Sequence, residues 1–208
     1  MKKEKKLISI SSGNEKMGDI PNISLPPIIT CRPNTPCKKG CYATKGTSNY
    51  DNVKKSRAGN LAAFISDKEA YFNEIIKYVD SKLTIHKFFR WHVAGDIVNS
   101  DYLEGMIRVA KTCKRTKFLA FTKKFELVND FLANGGELPR NLKIVFSAWD
   151  KNFEVVNPYH LPVAYVDFSK KDRNPCMPEF VFPCSNNCEE CLYCWQLKKR
   201  MSVKFNEH

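Results

Sequence analysis

A chain of 208 residues, 43% of them hydrophobic, is long enough to bury one substantial core and too short for two comfortable ones. No window approaches the roughly 20 apolar residues of a membrane span, and the opening MKKEKKLISI lacks the apolar region and cleavage signature of a secretory signal. The expectation is a cytoplasmic protein without a membrane partner; its net charge of +12 suits a nucleic acid or another polyanion, and a solvated basic surface meets it equally well.

In chain order, residues 1–17 read as a peripheral N-terminal segment of one α/β domain spanning 1–208. The run ISLPPIIT (Ile23–Thr30) carries two prolines, which restrict it to an edge or irregular strand ending on Cys31. Helices follow over Asn52–Ile65 and after a capping box at Ser66–Glu69, the second burying Tyr71, Phe72, Ile75, Ile76 and Val79. KFFRWHVA (Lys87–Ala94) reads as a strand broken by Gly95 and Asp96. The helix opened by Ser100 puts Leu103, Met106, Ile107, Ala110 and Cys113 on one face, which makes Cys113 a core residue. KFLAFT (Lys117–Thr122) is a strand; the helix after it carries Phe125, Val128, Phe131 and Leu132 and stops at Asn134-Gly-Gly136. LKIVFSAW (Leu142–Trp149), PVAYVDF (Pro162–Phe168) and EFVFP (Glu179–Pro183) complete about six strands, with a short helix between the first two of these. The fold class is therefore α/β, a partial (β/α) barrel of mostly parallel strands with cysteine-rich loops at its C-terminal rim and a cysteine-rich extension over 184–208.

Nine cysteines in a reducing compartment are read as metal ligands or redox thiols before disulfides. Cys31, Cys37 and Cys41, spaced by five and three residues in a loop with Pro33, Pro36 and Gly40, offer three thiolates. Three thiolates leave one position of a zinc ion, or one iron of a four-iron cluster, open to a substrate. Cys184, Cys188, Cys191 and Cys194, spaced by three, two and two residues, supply enough thiolates to close a second site. This crowding favours iron–sulfur ligation over zinc, which usually takes two separated pairs. Cys184–Cys188–Cys191 also reproduces the CxxxCxxC spacing of radical S-adenosylmethionine enzymes, but after the last strand where those enzymes carry it after the first. At the intervening strand ends, Gly95, Asp96 and Lys123 are candidates to line a cosubstrate. His92 reads either as a ligand or as a packed core residue, and Cys176 as a spare thiol.

The blocks SLPPIITC, PCKKGCYATKG, RWHVAGDIVNSDYL, FLAFTKKFELVN and LPRNLKIVFSAW, with the ending CxxCxxCW and VKFNEH, resemble the phage gene product 88 family from about Gly18 to His208. The resemblance implies a phage or prophage origin, hence the cytoplasm of a bacterial host, and it makes His208 a candidate site residue. A fainter likeness reaches a second phage family related to radical S-adenosylmethionine proteins. It rests on FTKK before a helix and on LPRNLKIVFS after it, and it implies a partial barrel; the Cys31–Cys37–Cys41 spacing departs from the standard three-cysteine motif, so no catalytic residue carries over and S-adenosylmethionine is left as an open cosubstrate. The expected function is a cysteine-rich metalloprotein holding a 4Fe-4S cluster, extended to a radical enzyme acting on a nucleotide or nucleic acid. The alternative is a zinc-stabilised module that binds nucleic acid or a host protein without catalysis.

Overall fold

The computed structural model describes residues 7–81, 84–149, 155–167 and 177–206. Their strands form one sheet in the order β1 (Ile10–Ser11), β2 (Asn22–Ile23), β3 (Phe88–Trp91), β4 (Lys117–Thr122), β5 (Leu142–Ala148), β6 (Val163–Asp167), β8 (Ser202–Asn206), β7 (Phe182–Pro183). Only β1 runs antiparallel to its neighbour. Four longer helices intervene, α1 (Asp51–Ser66), α2 (Lys68–Val79), α3 (Ser100–Thr112) and α4 (Phe125–Ala133), and a single turn, α5, spans Cys188–Cys191. The α/β class and parallel pairing are as expected, but the sheet is open, with β1 and β7 as its edges, so strand pairing closes no barrel. Two strands exceed the expected set: β1 falls within the segment taken as peripheral, where Ile8 and Met17 are also buried, and β8 within the supposed extension.

Strand alternation sorts the core into two layers. Phe89 and Trp91 of β3, Phe118 and Ala120 of β4, Ile144 and Phe146 of β5 and Tyr165 of β6 pack against α1–α4. Phe64, Tyr71, Phe72, Trp91 and Tyr102 form an aromatic knot there, mostly edge-to-face. α3 approaches α2 closely because Gly105 faces the Phe72 ring, where a Cβ would overlap it. The alternate residues Leu119, Phe121, Val145, Ala164, Val203 and Phe205 turn to the other face, onto Met17, Ile20, Trp195 and Leu197.

The strand order explains why the cysteine-rich segment covers that second face. From β2 to β6 the chain steps one way across the sheet, whereas the step from β7 to β8 runs back, since β8 lies between β6 and β7. Parallel crossovers are right-handed, so reversing the direction of travel moves the connection to the opposite side of the sheet. That connection carries Cys184, Cys188, Cys191 and Cys194.

Local readings fared unevenly. α1 and α3 fall where they were expected, α3 on its periodicity, and Cys113 is fully buried. The cap of α2 is Asp67, whose carboxylate accepts from Ala70 N at 2.9 Å; Ser66 is instead the last residue of α1. Ser100 opens α3 as expected, and Asn99 before it is the cap, accepting from Tyr102 N. α4 ends as predicted, with Gly135 at φ 80° and the Gly136 amide returning to Phe131 O. Of the first apolar run, with its prolines at 26 and 27, only Ile23 lies in the sheet, in the two-residue strand Asn22–Ile23, which is paired on both sides and so is not an edge. Of the helix expected between β5 and β6, residues 150–154 lie outside the described residues and 155–162 are not helical.

Candidate metal centre

The first cysteine loop stands where the sequence put it, beyond the carboxyl ends of the parallel strands. Its entry is strained: Ile28, β-branched, adopts φ 71°, a conformation that costs on the order of 1–3 kcal/mol and is held by its surroundings. Thr30 N and Oγ1 both return to Pro26 O, while Thr30 Oγ1 accepts from Asp96 N at 3.1 Å. Cys31 is thereby fixed beside Asp96, Lys123 and Cys41. Burial raises its thiol pKa most, a hydrogen bond with the Ile28 backbone lowers it, and Asp96 raises it again. Arg32 bonds to Lys123 O and pairs with Glu126 at 2.5 Å, tying the loop to the start of α4. Cys37 lies on a short 3-10 turn (Pro36–Lys38), its thiol 3.5 Å from Thr35 Oγ1. After Cys41, the half-exposed ring of Tyr42 sinks its hydroxyl onto Val93 O, and this burial raises the phenol pKa.

Gly95, Asp96 and Lys123 do gather at this rim, in roles set by the backbone. Gly95, at φ 84°, presses on Leu25 and Thr30, so a Cβ there would overlap both. Asp96 is 4% exposed, and its carboxylate accepts from Ile97 N at 2.7 Å, from Lys123 N at 3.0 Å and from the Thr122 side chain. Burial holds its pKa above the usual carboxylate range despite those bonds. It locks the turn after β3 to the turn after β4, and its oxygens face those turns. The Lys123 ammonium lies 5.8 Å from the Trp149 ring centroid. His92, the other candidate of this strand, is a packed residue: 3% exposed at φ 55°, with Nε2 at 3.1 Å from Tyr102 OH. Tyr102 OH in turn lies 2.7 Å from Tyr71 OH.

The second group leaves β7 through Cys184, whose amide donates to Lys204 O of β8 at 2.8 Å. Cys184 Sγ accepts from Asn186 N at 3.4 Å. Asn187 caps α5, Cys188 N donates to Lys16 O, and Leu192 at φ 49° turns the chain down the sheet face. Phe182 stacks on Tyr193 with centroids 3.8 Å apart, and the buried Trp195 sends its indole N–H to Phe89 O at 3.4 Å. Cys194 is the innermost thiol: burial pushes its pKa to about 12, Arg90 pulls it back, and Cys184, Cys188 and Cys191 each raise it. Cys188 is likewise raised by burial, lowered by Arg90 and Lys16, and raised by Cys184 and Cys191. The four thiols line one small hollow together with Trp195 and Val203. Among the described residues no three of His, Cys, Asp and Glu stand in a ligand arrangement, and the eight described cysteines form no disulfide.

Arg90, which the sequence reading passed over, joins the two groups. It shares the inner face of β3 with Phe88, lies 4.4 Å from the Phe121 ring centroid, and has a buried Nε without a hydrogen-bond partner. Its charge reaches Cys188 and Cys194 on one side and the Tyr42 phenol on the other. The signal for it was period two within FFRW, which put Arg90 opposite the helical face. Cys176 and His208 lie outside the described residues.

A family model described as gene product 88 matches residues 1–196. The chain belongs to the gene product 88 family. The match runs from the N-terminal segment through Cys194 and stops before β8, so both cysteine groups fall within it. Compared with curated proteins and with solved structures, the chain matches none of them. No helix among the described residues is long and apolar enough to cross a membrane.

Proposed function

We propose that this family member is a thiolate-ligated metalloprotein in which Cys184, Cys188, Cys191 and Cys194 hold an iron–sulfur cluster on the inner face of the sheet. The observation that carries this reading is that Cys184, Cys188, Cys191 and Cys194 line one small hollow beside Trp195 and Tyr193, with Arg90 the cation that acts most on half-buried Cys194 and Cys188. Four thiolates packed there need compensating positive charge, and a metal centre supplies it. The donor set fits: all sulfur, with a backbone N–H already on Cys184.

Cys31, Cys37 and Cys41 then form the open site at the strand ends, where three thiolates leave a position for a small molecule. Cys31 sits against the Lys123 charge, while Asp96 and Gly95 fix the backbone beneath it. A cluster bound there would supply electron transfer, and S-adenosylmethionine is the cosubstrate on the enzymatic extension of this reading, with a nucleotide or nucleic acid as substrate. The second reading is a zinc-stapled module that binds nucleic acid or a host protein. It is favoured by the way the second group is built into a hydrophobic layer with Trp195 and Leu197, as a structural staple would be.

Anaerobic purification followed by an absorption spectrum and metal analysis separates the two. A brown protein with several irons per chain supports the first reading; a colourless one with stoichiometric zinc overturns it in favour of the second. Cys191→Ala should release metal and lower the melting temperature, whereas Cys37→Ala, on an exposed turn, should leave the fold intact and abolish chemistry at the open site.

A further inference from the structure

On the far side of the first cysteine loop, between the β1–β2 edge and the start of α1, lies a cavity of about 490 Å³ that neither cysteine group occupies. Its size falls within the range of small-molecule sites. Polar residues predominate in the lining, although polar and apolar atoms share its surface about equally, and they come from three separate segments: Ser9, Asn22 and Ser24 beside the sheet edge, Thr47 from a 3-10 turn, and Ser56 and Arg57 from α1. Hydroxyls and amides supply most of its polar groups, and no carboxylate is among the lining residues.

Three features say what this space takes. Arg57, 8% exposed, donates to Ala43 O at 3.0 Å, Ser48 O at 3.2 Å and Ser48 Oγ at 3.3 Å, all uncharged, and no carboxylate pairs with it among the described residues. A buried cation held only by neutral acceptors lacks a counter-charge, which an anion in the cavity supplies. The second feature is the N-terminus of α1, a helix of 16 residues whose first turn lines the cavity through Asn52 and Val53 and has no side-chain cap. Backbone N–H groups there favour an anion, although Asp51, in the same turn but outside the lining, already supplies one carboxylate. Thirdly, Asn22 is 4% exposed, yet its amide nitrogen is a buried donor without a partner in a wall otherwise well bonded; Asn60 beside it spends its amide on Ser9 and Ser24. At the mouth stands Tyr50, 60% exposed, an aromatic face open to stacking.

We propose that this cavity binds a nucleoside monophosphate: the phosphate toward Arg57 and the first turn of α1, the ribose among the serine hydroxyls, the base against Tyr50. The site is independent of any metal, because none of its lining residues is a cysteine. It also lies next to the chemistry, since Arg57 holds Ala43 O, two residues past Cys41, and Val93 in its wall is the acceptor of Tyr42.

The test is isothermal titration of the protein as purified with the four nucleoside 5′-monophosphates, ribose 5-phosphate and inorganic phosphate. At least one nucleotide should bind with Kd below about 1 mM, and ribose 5-phosphate and phosphate should bind at least about tenfold more weakly for want of the stack. Ser56→Trp, which fills the cavity from a half-buried position on α1, should weaken the nucleotide at least about tenfold. Should that variant unfold, Tyr50→Ala at the exposed mouth should weaken it about tenfold with an unchanged melting temperature. Absence of binding by all four nucleotides, phosphate binding as tightly as they do, or parental affinity in both variants overturns the proposal.

Discussion

His92 gives a direct test of how tightly the helical face of the sheet is closed. Burial, with Arg90 and Lys124 adding repulsion, holds its imidazole pKa down at about 3, against 6.5 for the free side chain. The folded protein therefore keeps His92 neutral between those values, while the unfolded chain takes up the proton. A group with a depressed folded pKa contributes stability that is complete above 6.5 and lost as pH falls, down to about 3. Between about pH 7 and pH 5 the loss amounts to about 2 kcal/mol, from 1.36 kcal/mol per pH unit acting over the range below 6.5. Asp96 acts in the opposite sense: its pKa is raised, so protonation favours the folded state as pH falls, and wild-type protein alone would show a blunted slope. His92→Asn removes the titrating group and keeps a residue that tolerates the left-handed backbone at φ 55°. Urea unfolding followed by tryptophan fluorescence at about pH 7, 6 and 5 then isolates the His92 contribution, because Asp96 is present in both proteins. The stability advantage of wild type over the variant should shrink by about 2 kcal/mol from pH 7 to pH 5. Parallel pH profiles would mean that His92 titrates normally in the folded protein and that the Tyr71–Tyr102–His92 chain is open to water.

Three other expectations can be checked by the same unfolding assay. Gly105→Ala should cost about 1–3 kcal/mol despite the better helix propensity of alanine, because its methyl group overlaps the Phe72 ring; a neutral or stabilising change would show that α2 and α3 are not in close contact. Asp96→Asn replaces one acceptor oxygen by a donor and leaves Ile97 N or Lys123 N unpaired, a loss of about 1–3 kcal/mol that should appear without any substrate present. Trp195→Ala should cost about 3–5 kcal/mol, since it empties the centre of the inner layer, and no effect would mean that the cysteine segment does not lie on the sheet.

The sequence was most readable where periodicity is long. α2 and α3 carry three or more turns of pattern, and their apolar faces are the buried ones observed, with Ile76 half-buried. Position along the strands was also informative: Cys31, Asp96 and Lys123 gather at one rim because parallel strands deliver their exits together. What could not be read were choices that depend on non-local partners. SVKFN is an ordinary alternating strand, and nothing in it says that it slots between β6 and β7. The same ambiguity hid the place of the second cysteine group, expected at the rim and found extending down the sheet face. Asp67 displaced Ser66 as a cap because α1 and α2 abut within a single residue, which a window centred on the second helix cannot register. Arg90 and Asn22 were invisible as site residues because their importance lies in what is missing around them, a partner for each buried nitrogen.

The reversed step from β7 to β8 also sets an order of assembly. β2 to β6 and their helices join neighbours along the chain, so they can consolidate as each segment emerges. β7 has no such route: among the described residues it pairs with β8 alone, and β8 docks on β6, which is then already in place. The inner layer is therefore sealed late and in one movement, as the chain doubles back and lays Trp195 onto a finished sheet. Until then the thiols that close over that face remain within reach of solvent, and their covering marks the last stage of folding.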